Sequence, residues 1–494
     1  MKKSLAFLLA ALLLSSAFAS CSGTTDDVRE TDPANADTAA EETITEETEP
    51  ETEADLRLWE GKSFDGYTVN IFGRQDTNYS FDFWADEITG QAVNDAVYNR
   101  NEQVETDLNI DLQYIPTTLD DIAFNQNVVN SVRSADGAYD IVAANAYYGV
   151  SMVLENALYD LHKMPNITLD NSWYNQSFVS EMTIYDQLYF VVGDLTMTAT
   201  DRMKLTFINK DLIGTYLDIV DLYQVVYDGK WTIDYFQQLI AETWHDVNGN
   251  GARDGYSDIF GFAVYNEGSI PADGLIASLG IKVASKNSEG NPEISMYNEH
   301  SVTVYEKLRK LYHDTSGTNP AMDGWTFLEN KVMTVMGCAN FAVHLRDFEP
   351  EYGVLPLPKF DEAQEKYITT SQDAYNIVCV PSTCSNTEAV GAAIDYLSCL
   401  SREEVYPKYY ESTFQRQYMR TEQDAEMFDL IRDGLEFNVG VVYSNCIGNP
   451  VWIFRDTLIQ NGEFASAYQS KAKVSERILE KFLEQIKPEE NVQE

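Results

Sequence analysis

The chain has 494 residues and a formal net charge of −45, from 34 Lys and Arg against 79 Asp and Glu. This length predicts two or three domains, and 44% hydrophobic with 12% aromatic residues allows a large core and excludes a fully disordered chain. A surface this acidic repels phosphate, which excludes nucleic acid as a partner and leaves covalent attachment as the route to an anionic membrane.

The first twenty residues are predicted to form a secretory signal peptide. Lys2 and Lys3 precede an apolar run, Leu5–Leu14, that is too short to span the roughly 30 Å of a bilayer core. The small residues that follow end at Cys21, which resembles a bacterial lipobox, although Phe18 stands where Leu is usual. The resemblance implies cleavage before Cys21 and lipidation of its thiol, and a plain secreted protein is the alternative.

Residues 21–55 are predicted to be a lipidated, disordered tether. From residue 22 to residue 55 there are 13 acidic side chains against one basic side chain, Arg29, and no apolar periodicity. Such a composition cannot bury enough surface to fold, and the like charges extend it. We interpret it as a spacer that holds a folded body off the cell envelope. Most of the negative charge then belongs to the body, which favours a neutral ligand, such as a sugar, over an anion.

The body alternates strands with helices. A helix is predicted over residues 91–108, Asn209 opens a later helix, and Thr232 caps another. This alternation predicts an α/β fold with mostly parallel sheets and a ligand at the carboxyl ends of the strands. Strands are predicted at residues 67–72, 110–115, 139–143, 205–208, 260–265, 332–336, 353–357 and 376–380.

The signatures of common catalytic sites are absent from the sequence. The cysteines show no C-x-x-C spacing and the five histidines no H-E-x-x-H pair, which argues against a zinc hydrolase. We interpret the five cysteines after Cys21 as buried small side chains with at most one disulfide. No G-x-S-x-G elbow or complete P-loop occurs. The acidic residues allow the carboxylate pair of a glycoside hydrolase, but nothing selects two of them.

One acidic loop has the spacing of a calcium site. Gly251 stands at relative position 6, where a sharp turn is needed, and Ala252 stands at position 7, which supplies a backbone carbonyl in such loops. Position 12 is Ser257 instead of the usual Glu. The pattern predicts a structural Ca²⁺, and a tight Asn/Gly turn without an ion is the alternative. The candidate ligands are Asp246, Asn248, Asn250, Ala252, Asp254 and Asp258.

Several further segments complete a resemblance to a known family. They are Thr206-Phe207-Ile208-Asn209-Lys210-Asp211-Leu212, Gly229-Lys230-Trp231-Thr232, Gly261-Phe262 after the acidic loop, and Gly353-Val354-Leu355-Pro356-Leu357-Pro358. In this order, after the lipobox and the tether, they make the chain resemble the family 1 extracellular solute-binding proteins of ABC importers. The best-known members of that family bind maltose and other oligosaccharides.

The resemblance implies a fold and a function. The fold is a two-lobed clamp of the type II periplasmic-binding-protein kind, each lobe a mostly parallel sheet flanked by helices. Lobe I would hold residues 56–200 plus 358–412, and lobe II residues 201–357 plus 413–494. The function is capture of a small solute by a monomer that is not an enzyme and that delivers the solute to a membrane permease.

Carried over by position, the ligand-binding residues follow the predicted strands. In sugar-binding members, aromatic rings stack on the apolar faces of sugars, and planar polar groups bind the hydroxyls. Phe341 stands where members often have Trp, and for Trp84, Tyr147 and Trp452 a place in the core is the open alternative. The candidates are Arg74, Tyr79, Trp84, Asn145, Tyr147, Tyr148, Asn340, Phe341, Arg346, Asp373 and Trp452.

Two other classes of function are alternatives. A lipid-anchored glycoside hydrolase would release products from an oligosaccharide, and a polysaccharide-adhesion protein would bind long insoluble glycans. The absence of a catalytic signature argues against the first, and the strand–helix alternation argues against a β-sandwich adhesion module. We therefore expect a lipid-anchored, extracytoplasmic binding protein for a neutral solute, with an oligosaccharide as the leading candidate.

Overall fold

The computed structural model describes residues 55–217, 221–264, 271–415 and 421–488. The predicted signal peptide, the lipidation site Cys21 and nearly all of the acidic tether lie outside the described residues. Within the described ranges, no helix is long and apolar enough to cross a membrane.

Two four-stranded sheets and a small hairpin contain the strands of the described residues. Their bounds are β1 (Tyr67–Arg74), β2 (Ile110–Thr117), β3 (Ile141–Asn145), β4 (Lys204–Asn209), β5 (Phe260–Ala263), β6 (Ala284–Lys286), β7 (Pro292–Ile294), β8 (Val332–Cys338), β9 (Tyr352–Leu355) and β10 (Asn376–Cys379). The first sheet has the order β10-β3-β1-β2 and the second the order β5-β8-β4-β9, while β6 and β7 form the hairpin. All eight strands predicted from the sequence are present in these two sheets.

Helices surround the sheets. The α-helices are α1 (Thr77–Ser80), α2 (Ala92–Leu108), α3 (Asp121–Ser134), α4 (Ala146–Gly149), α5 (Gln176–Met182), α6 (Met197–Asp201), α7 (Lys210–Tyr216), α8 (Leu222–Tyr227), α9 (Ile233–Ile240), α10 (Pro271–Ser278), α11 (Glu299–Arg309), α12 (Thr387–Leu400), α13 (Tyr406–Tyr409), α14 (Glu422–Asp433), α15 (Val439–Val442), α16 (Val451–Ile459) and α17 (Phe464–Ile486). The predicted caps are confirmed, because the Asn209 side chain accepts from the N–H of Leu212 and the Thr232 side chain from the N–H of Tyr235.

Each sheet contains one strand that runs against the others. In the first sheet, β1 is parallel to β2 and β3, and β10 is antiparallel to β3. In the second sheet, β5 and β8 are parallel, and β4 is antiparallel to both β8 and β9. The reversed strands β4 and β10 each begin directly after the chain crosses between the sheets. β4 and β10 therefore start at the edge of their sheet that lies next to the crossing and run away from it. The other strands of each sheet run toward that edge.

Apolar side chains pack into two cores. The first contains Val69 and Ile377 on the first sheet, and the second contains Phe207 and Trp231 on and beside the second sheet. The C-terminal part contributes to both cores, because residues 437–447 and 479–486 supply side chains to the first and residues 451–464 to the second. The exact lobe boundaries stay a prediction.

The five described cysteines are free and lie mostly in these cores. No disulfide therefore forms among them, and the interpretation as small buried side chains holds. Burial raises the pKa of the Cys338 thiol to about 11, which keeps it protonated at neutral pH.

Candidate functional site

The two sheets present facing edges where the chain crosses between them. β10 begins where β1 and β3 end, and β4 begins where β8 and β9 end. The two crossing segments bind each other: the N–H of Lys204 donates to the carbonyl of Thr370 (3.0 Å), and the N–H of Gln372 donates to the carbonyl of Arg202 (2.9 Å). The side chains at these edges form the candidate site.

Arg74, Tyr79 and Arg202 form a cluster between the edges. Arg74, the last residue of β1, donates from Nη2 to Oδ1 of Asn376 (2.7 Å). Its Cζ lies 3.4 Å from the centroid of the Tyr79 ring. Arg202 reaches the same ring from the crossing segment and donates from Nη2 to the Tyr79 hydroxyl (3.3 Å). One aromatic ring is thus shared by two guanidinium groups, a favourable cation–π arrangement.

Asp82 joins both crossing segments behind this cluster. Its carboxylate accepts from the N–H of Thr198 (3.1 Å), from the Thr198 hydroxyl (2.7 Å) and from the amide of Asn376 (2.8 Å). The side chain is fully buried, and burial raises its pKa to about 7, while these hydrogen bonds oppose the shift. Sequence reasoning missed Asp82, because a single Asp among 79 acidic residues carries no spacing signal.

A first aromatic pair lies beside Arg74. The rings of Trp84 and Tyr114 stack with 6.0 Å between their centroids. The Tyr114 hydroxyl donates to the carbonyl of Arg74 (2.7 Å), and Nε1 of Trp84 donates to Oδ1 of Asp86 (2.8 Å). Both rings are half-buried, so part of their apolar surface is open beside the Arg74 cluster.

A second aromatic pair joins the two halves of the site. The rings of Tyr147, on α4, and Trp452, on α16, are 6.3 Å apart and nearly parallel, with 12° between their planes. The Tyr147 hydroxyl donates to Oδ1 of Asn449 (3.0 Å), and the Tyr148 ring meets Tyr147 edge-on at 4.9 Å. Trp452 is 38% exposed, which leaves one part of its ring open to a ligand.

An ion pair between Arg455 and Asp273 lies beside Trp452, on the side of the second sheet. Nη1 of Arg455 donates to Oδ2 of Asp273 (2.9 Å), and both side chains are 12% exposed. Cζ of Arg455 lies 5.1 Å from the Trp452 ring centroid. Burial raises the pKa of Asp273 to about 6, while the positive charges of Lys204 and Arg455 oppose the shift. Sequence reasoning missed the pair, because its members are far apart along the chain.

Comparison with known proteins gives matches among solved structures. No protein-family model matches the sequence, and no curated protein does either. The GacH receptor of Streptomyces glaucescens, solved unliganded and with acarbose, is 15% identical, with 84% of this chain and 99% of that chain covered and a TM-score of 0.52. The cyclic alpha-maltosyl-1,6-maltose binding protein of Arthrobacter globiformis is 14% identical, with 85% and 99% covered and a TM-score of 0.54. A family 1 extracellular solute-binding protein of Bifidobacterium longum subsp. infantis is 13% identical, with 85% and 99% covered and a TM-score of 0.52.

The chain has the fold of these solute-binding proteins. The predicted α/β clamp and the resemblance stated from the sequence are thereby confirmed at the level of the fold. Identities of 13–15% carry the fold and no residue-by-residue role. In this solute-binding-protein fold, the position of each ligand-binding candidate is therefore judged from the contacts that its own side chain makes.

Two further candidates lie beside Tyr147. Asn145 is buried, and its Oδ1 accepts from the N–H of Tyr148 (3.3 Å), so its side chain caps α4. Asp373 is half-buried, its carbonyl accepts from the N–H of Tyr147 (3.2 Å), and its Oδ1 accepts from Nε2 of Gln372 (3.1 Å). Asp373 thus lies at the facing edges next to Tyr147, whereas Asn145 supports the turn that carries Tyr147 and Tyr148.

The three candidates after β8 are separated from one another. Asn340 is half-buried at the second edge, whereas Phe341 is buried and packs on Phe207, with 5.3 Å between the ring centroids. Arg346 is exposed and lies between His344 and Asp347, which line a cavity of about 620 Å³ next to the start of β8. The structure therefore places Arg346 away from the edge at which β8 ends.

The predicted calcium loop is held by hydrogen bonds to its own backbone. Asp246 accepts from the N–H groups of Gly249 and Gly251, both at 2.7 Å. Asp258 accepts from Nε1 of Trp244 (2.9 Å) at the base of the loop. The described part of the chain contains no group of three or more His, Cys, Asp or Glu side chains placed to hold a metal ion. A Ca²⁺ would therefore depend on amide and backbone oxygens, such as those of Asn248, Asn250 and Ala252, and stays a prediction, as does a ligand role for Asp254.

Proposed function

We propose that this protein is the solute-binding component of an ABC importer. It captures an oligosaccharide between the facing edges of the two sheets and delivers it, unchanged, to a permease. Attachment to the outer face of the cell membrane through lipidated Cys21 completes the proposal. The fold shared with proteins described as binding acarbose and a cyclic maltosyl-maltose supports a sugar as the solute.

The observation that carries the proposal is the aromatic pair Tyr147–Trp452. The two rings come from segments that are about 300 residues apart, since Tyr147 bonds to Asn449 across a separation of 302 residues. Trp452 remains 38% exposed. A partly open, immobilised ring next to hydrogen-bonding groups is the surface on which the apolar face of a sugar stacks.

Isothermal titration calorimetry with a panel of neutral and acidic oligosaccharides of two to six units tests the proposal. We expect saturable binding of at least one oligosaccharide, without release of shorter products. Trp452→Ala removes the stacking surface and is expected to weaken binding by about 10- to 100-fold, as truncation of a buried aromatic anchor does at other interfaces.

Two matched variants serve as controls. Trp325→Ala removes a ring of similar exposure, 42%, that packs against His344 and Phe341, and it is expected to weaken binding far less than Trp452→Ala. Tyr147→Phe and Tyr227→Phe each remove one hydroxyl that donates to a side chain, Asn449 and Glu426 respectively, and only the first should weaken binding. Hydrolysis of the ligand, or equal effects of Trp452→Ala and Trp325→Ala, would contradict the proposed function.

A further inference from the structure

Three basic side chains at the facing edges have no acidic partner at close range. They are Arg74 at the end of β1, Arg202 in the crossing segment, and Lys204 at the start of β4. Among the described residues, no carboxylate oxygen lies within 4.0 Å of their side-chain nitrogens. Arg432 and Arg455, by contrast, each pair with a carboxylate.

These cations are also partly withdrawn from water, since Arg74 and Arg202 are half-buried and Lys204 is buried. Lys204 is 4% exposed, and Nε of Arg74 and Nε of Arg202 are buried without a hydrogen-bond partner within the described residues. Nη2 of Arg74 bonds only to neutral oxygens, those of Asn376 (2.7 Å) and Ala374 (3.5 Å). Holding cations away from water without pairing them costs free energy, which an anion bound beside them would recover.

The carboxylates near these cations are engaged elsewhere. Those of Asp82 and Asp201 accept hydrogen bonds from Thr198 and Tyr409, and Asp373 accepts one from Gln372. Their electrostatic influence reaches the cations over more than 4.0 Å, and the same holds for Asp121 acting on Arg74 and for Asp273, which is paired with Arg455, acting on Lys204. Within the described part of the chain, the two guanidinium groups that face the Tyr79 ring therefore donate to no acidic side chain.

We propose that the ligand is an acidic oligosaccharide and that Arg74 and Arg202 bind its carboxylate, with Lys204 adding positive charge. The inference rests on the proposed function and names its substrate class. A guanidinium fork matches the planar carboxylate of a uronate with two parallel hydrogen bonds. The carboxylate of a hexuronate projects from the edge of the sugar ring, so the ring itself can lie against the neighbouring Trp84 and Tyr114.

The local charge at the edges reverses the expectation drawn from the whole chain. A net charge of −45 favours a neutral ligand only if the acidic side chains are spread evenly over the molecule. At the facing edges, three cations instead lack close acidic partners. Charges closer than a Debye length, about 8 Å at physiological ionic strength, dominate the binding of a small ligand.

Calorimetry on the full protein with matched ligand pairs tests the inference. Each pair is a hexuronate trimer, of galacturonate, glucuronate or mannuronate, and its carboxyl-reduced neutral counterpart. We expect one uronate trimer to bind at least about tenfold more tightly than its reduced form, with an affinity that falls as NaCl is raised from 0.15 to 0.5 M. Arg74→Gln and Arg202→Gln should each weaken uronate binding by about 10- to 30-fold and weaken binding of the reduced trimer by a clearly smaller factor.

The controls separate failure of the inference from failure of the proposed function. Arg432→Gln removes a half-buried guanidinium that pairs with Asp429 and should leave uronate affinity unchanged. Arg74→Lys keeps the positive charge but not the planar guanidinium fork. Its uronate affinity should lie between those of the parent and of Arg74→Gln, and it provides a second test if the Gln variant folds poorly. Sulfated trimers are titrated alongside these pairs. If neutral trimers bind as tightly as the uronates, or if sulfated trimers bind best, the uronate assignment is wrong and the binding function stands. If no oligosaccharide binds, the proposed function itself fails.

Discussion

Asp82 shows how a single side chain can hold two chain crossings in place. Its buried carboxyl group binds Thr198 before β4 and Asn376 at the start of β10, and Asn376 in turn binds Arg74. Any movement of the two sheets about the crossings has to carry this set of hydrogen bonds with it. We infer that Asp82 fixes the geometry of the crossings and connects them to the candidate site.

The raised pKa of Asp82 predicts a pH-dependent stability. Because the folded carboxyl has a pKa of about 7, above its unfolded value, the folded state binds more protons between about pH 4 and pH 7. The contribution of Asp82 to the free energy of unfolding is therefore present below pH 4 and is lost as the pH rises to about 7. Urea unfolding of the parent and of Asp82→Asn at several pH values measures it. The difference between the two curves should depend on pH across this range.

The Asp82→Asn variant should also lose one hydrogen bond that the carboxylate accepts. Its amide nitrogen would oppose the amide of Asn376, so one buried donor would lose its acceptor, at a cost of about 1–3 kcal/mol. Asp361→Asn is the matched control, because Asp361 is exposed and accepts from two backbone N–H groups that an Asn oxygen can still bind. A pH-independent difference between parent and Asp82→Asn would contradict the raised pKa.

The individual site residues were predictable only where they follow a strand. Arg74 and Tyr147 could be chosen because the run of apolar residues before each marks the end of a strand at the ligand edge. Asp82, Asp273 and Arg455 could not, because their partners lie 116 to 294 residues away and hydrogen bonding across such separations leaves no local pattern. Arg346 lies away from the edge at which β8 ends, beside residues that line a cavity near the start of β8, and its ligand role stays a prediction.

At the scale of elements, local sequence signals determine where strands form and which residues cap helices. They do not determine the direction in which a strand runs within its sheet. The β-rich runs and the side chains of Asn209 and Thr232 act within a few residues, so the sequence shows them. The antiparallel placement of β4 depends on which edge the chain enters after a crossing. That choice is made by packing of the two cores, and alternation of strands and helices does not reveal it.

The acidic loop is the element whose predicted ion can be tested directly. Asp246 accepts from two backbone N–H groups, and the side-chain oxygens of Asn248 and Asn250, which each accept one backbone N–H, stand at the spacing that Ca²⁺ uses. We expect 1 mM Ca²⁺ to raise the Tm relative to a sample with excess EDTA, because binding to the folded loop stabilises it by mass action. Asp246→Ala should abolish the difference, whereas Asp361→Asn should keep it. An identical Tm with Ca²⁺ and with EDTA would contradict the calcium site and favour the alternative, a tight Asn/Gly turn without an ion.

At the scale of the whole molecule, the site is built from both cores. Val69 and Ile377 belong to the first core and Phe207 and Trp231 to the second, and the residues of the site lie where the two meet. A ligand bound there contacts groups anchored in each core, so its binding free energy is available only while both are folded. Ligand binding should therefore couple the unfolding of the two cores.

Differential scanning calorimetry with and without ligand checks this coupling. At a ligand concentration of 100 times Kd, binding adds about 2.7 kcal/mol to the free energy of unfolding, and for a chain of this length the unfolding entropy converts that to a Tm increase of about 3 °C. We expect a single transition that moves as a whole, or two transitions that merge when ligand is added. In Trp452→Ala the same ligand concentration should give a clearly smaller increase, because the fraction of sites filled falls. Two transitions of which only one moves would show that the ligand binds to one core alone, and the facing edges would then not be the site.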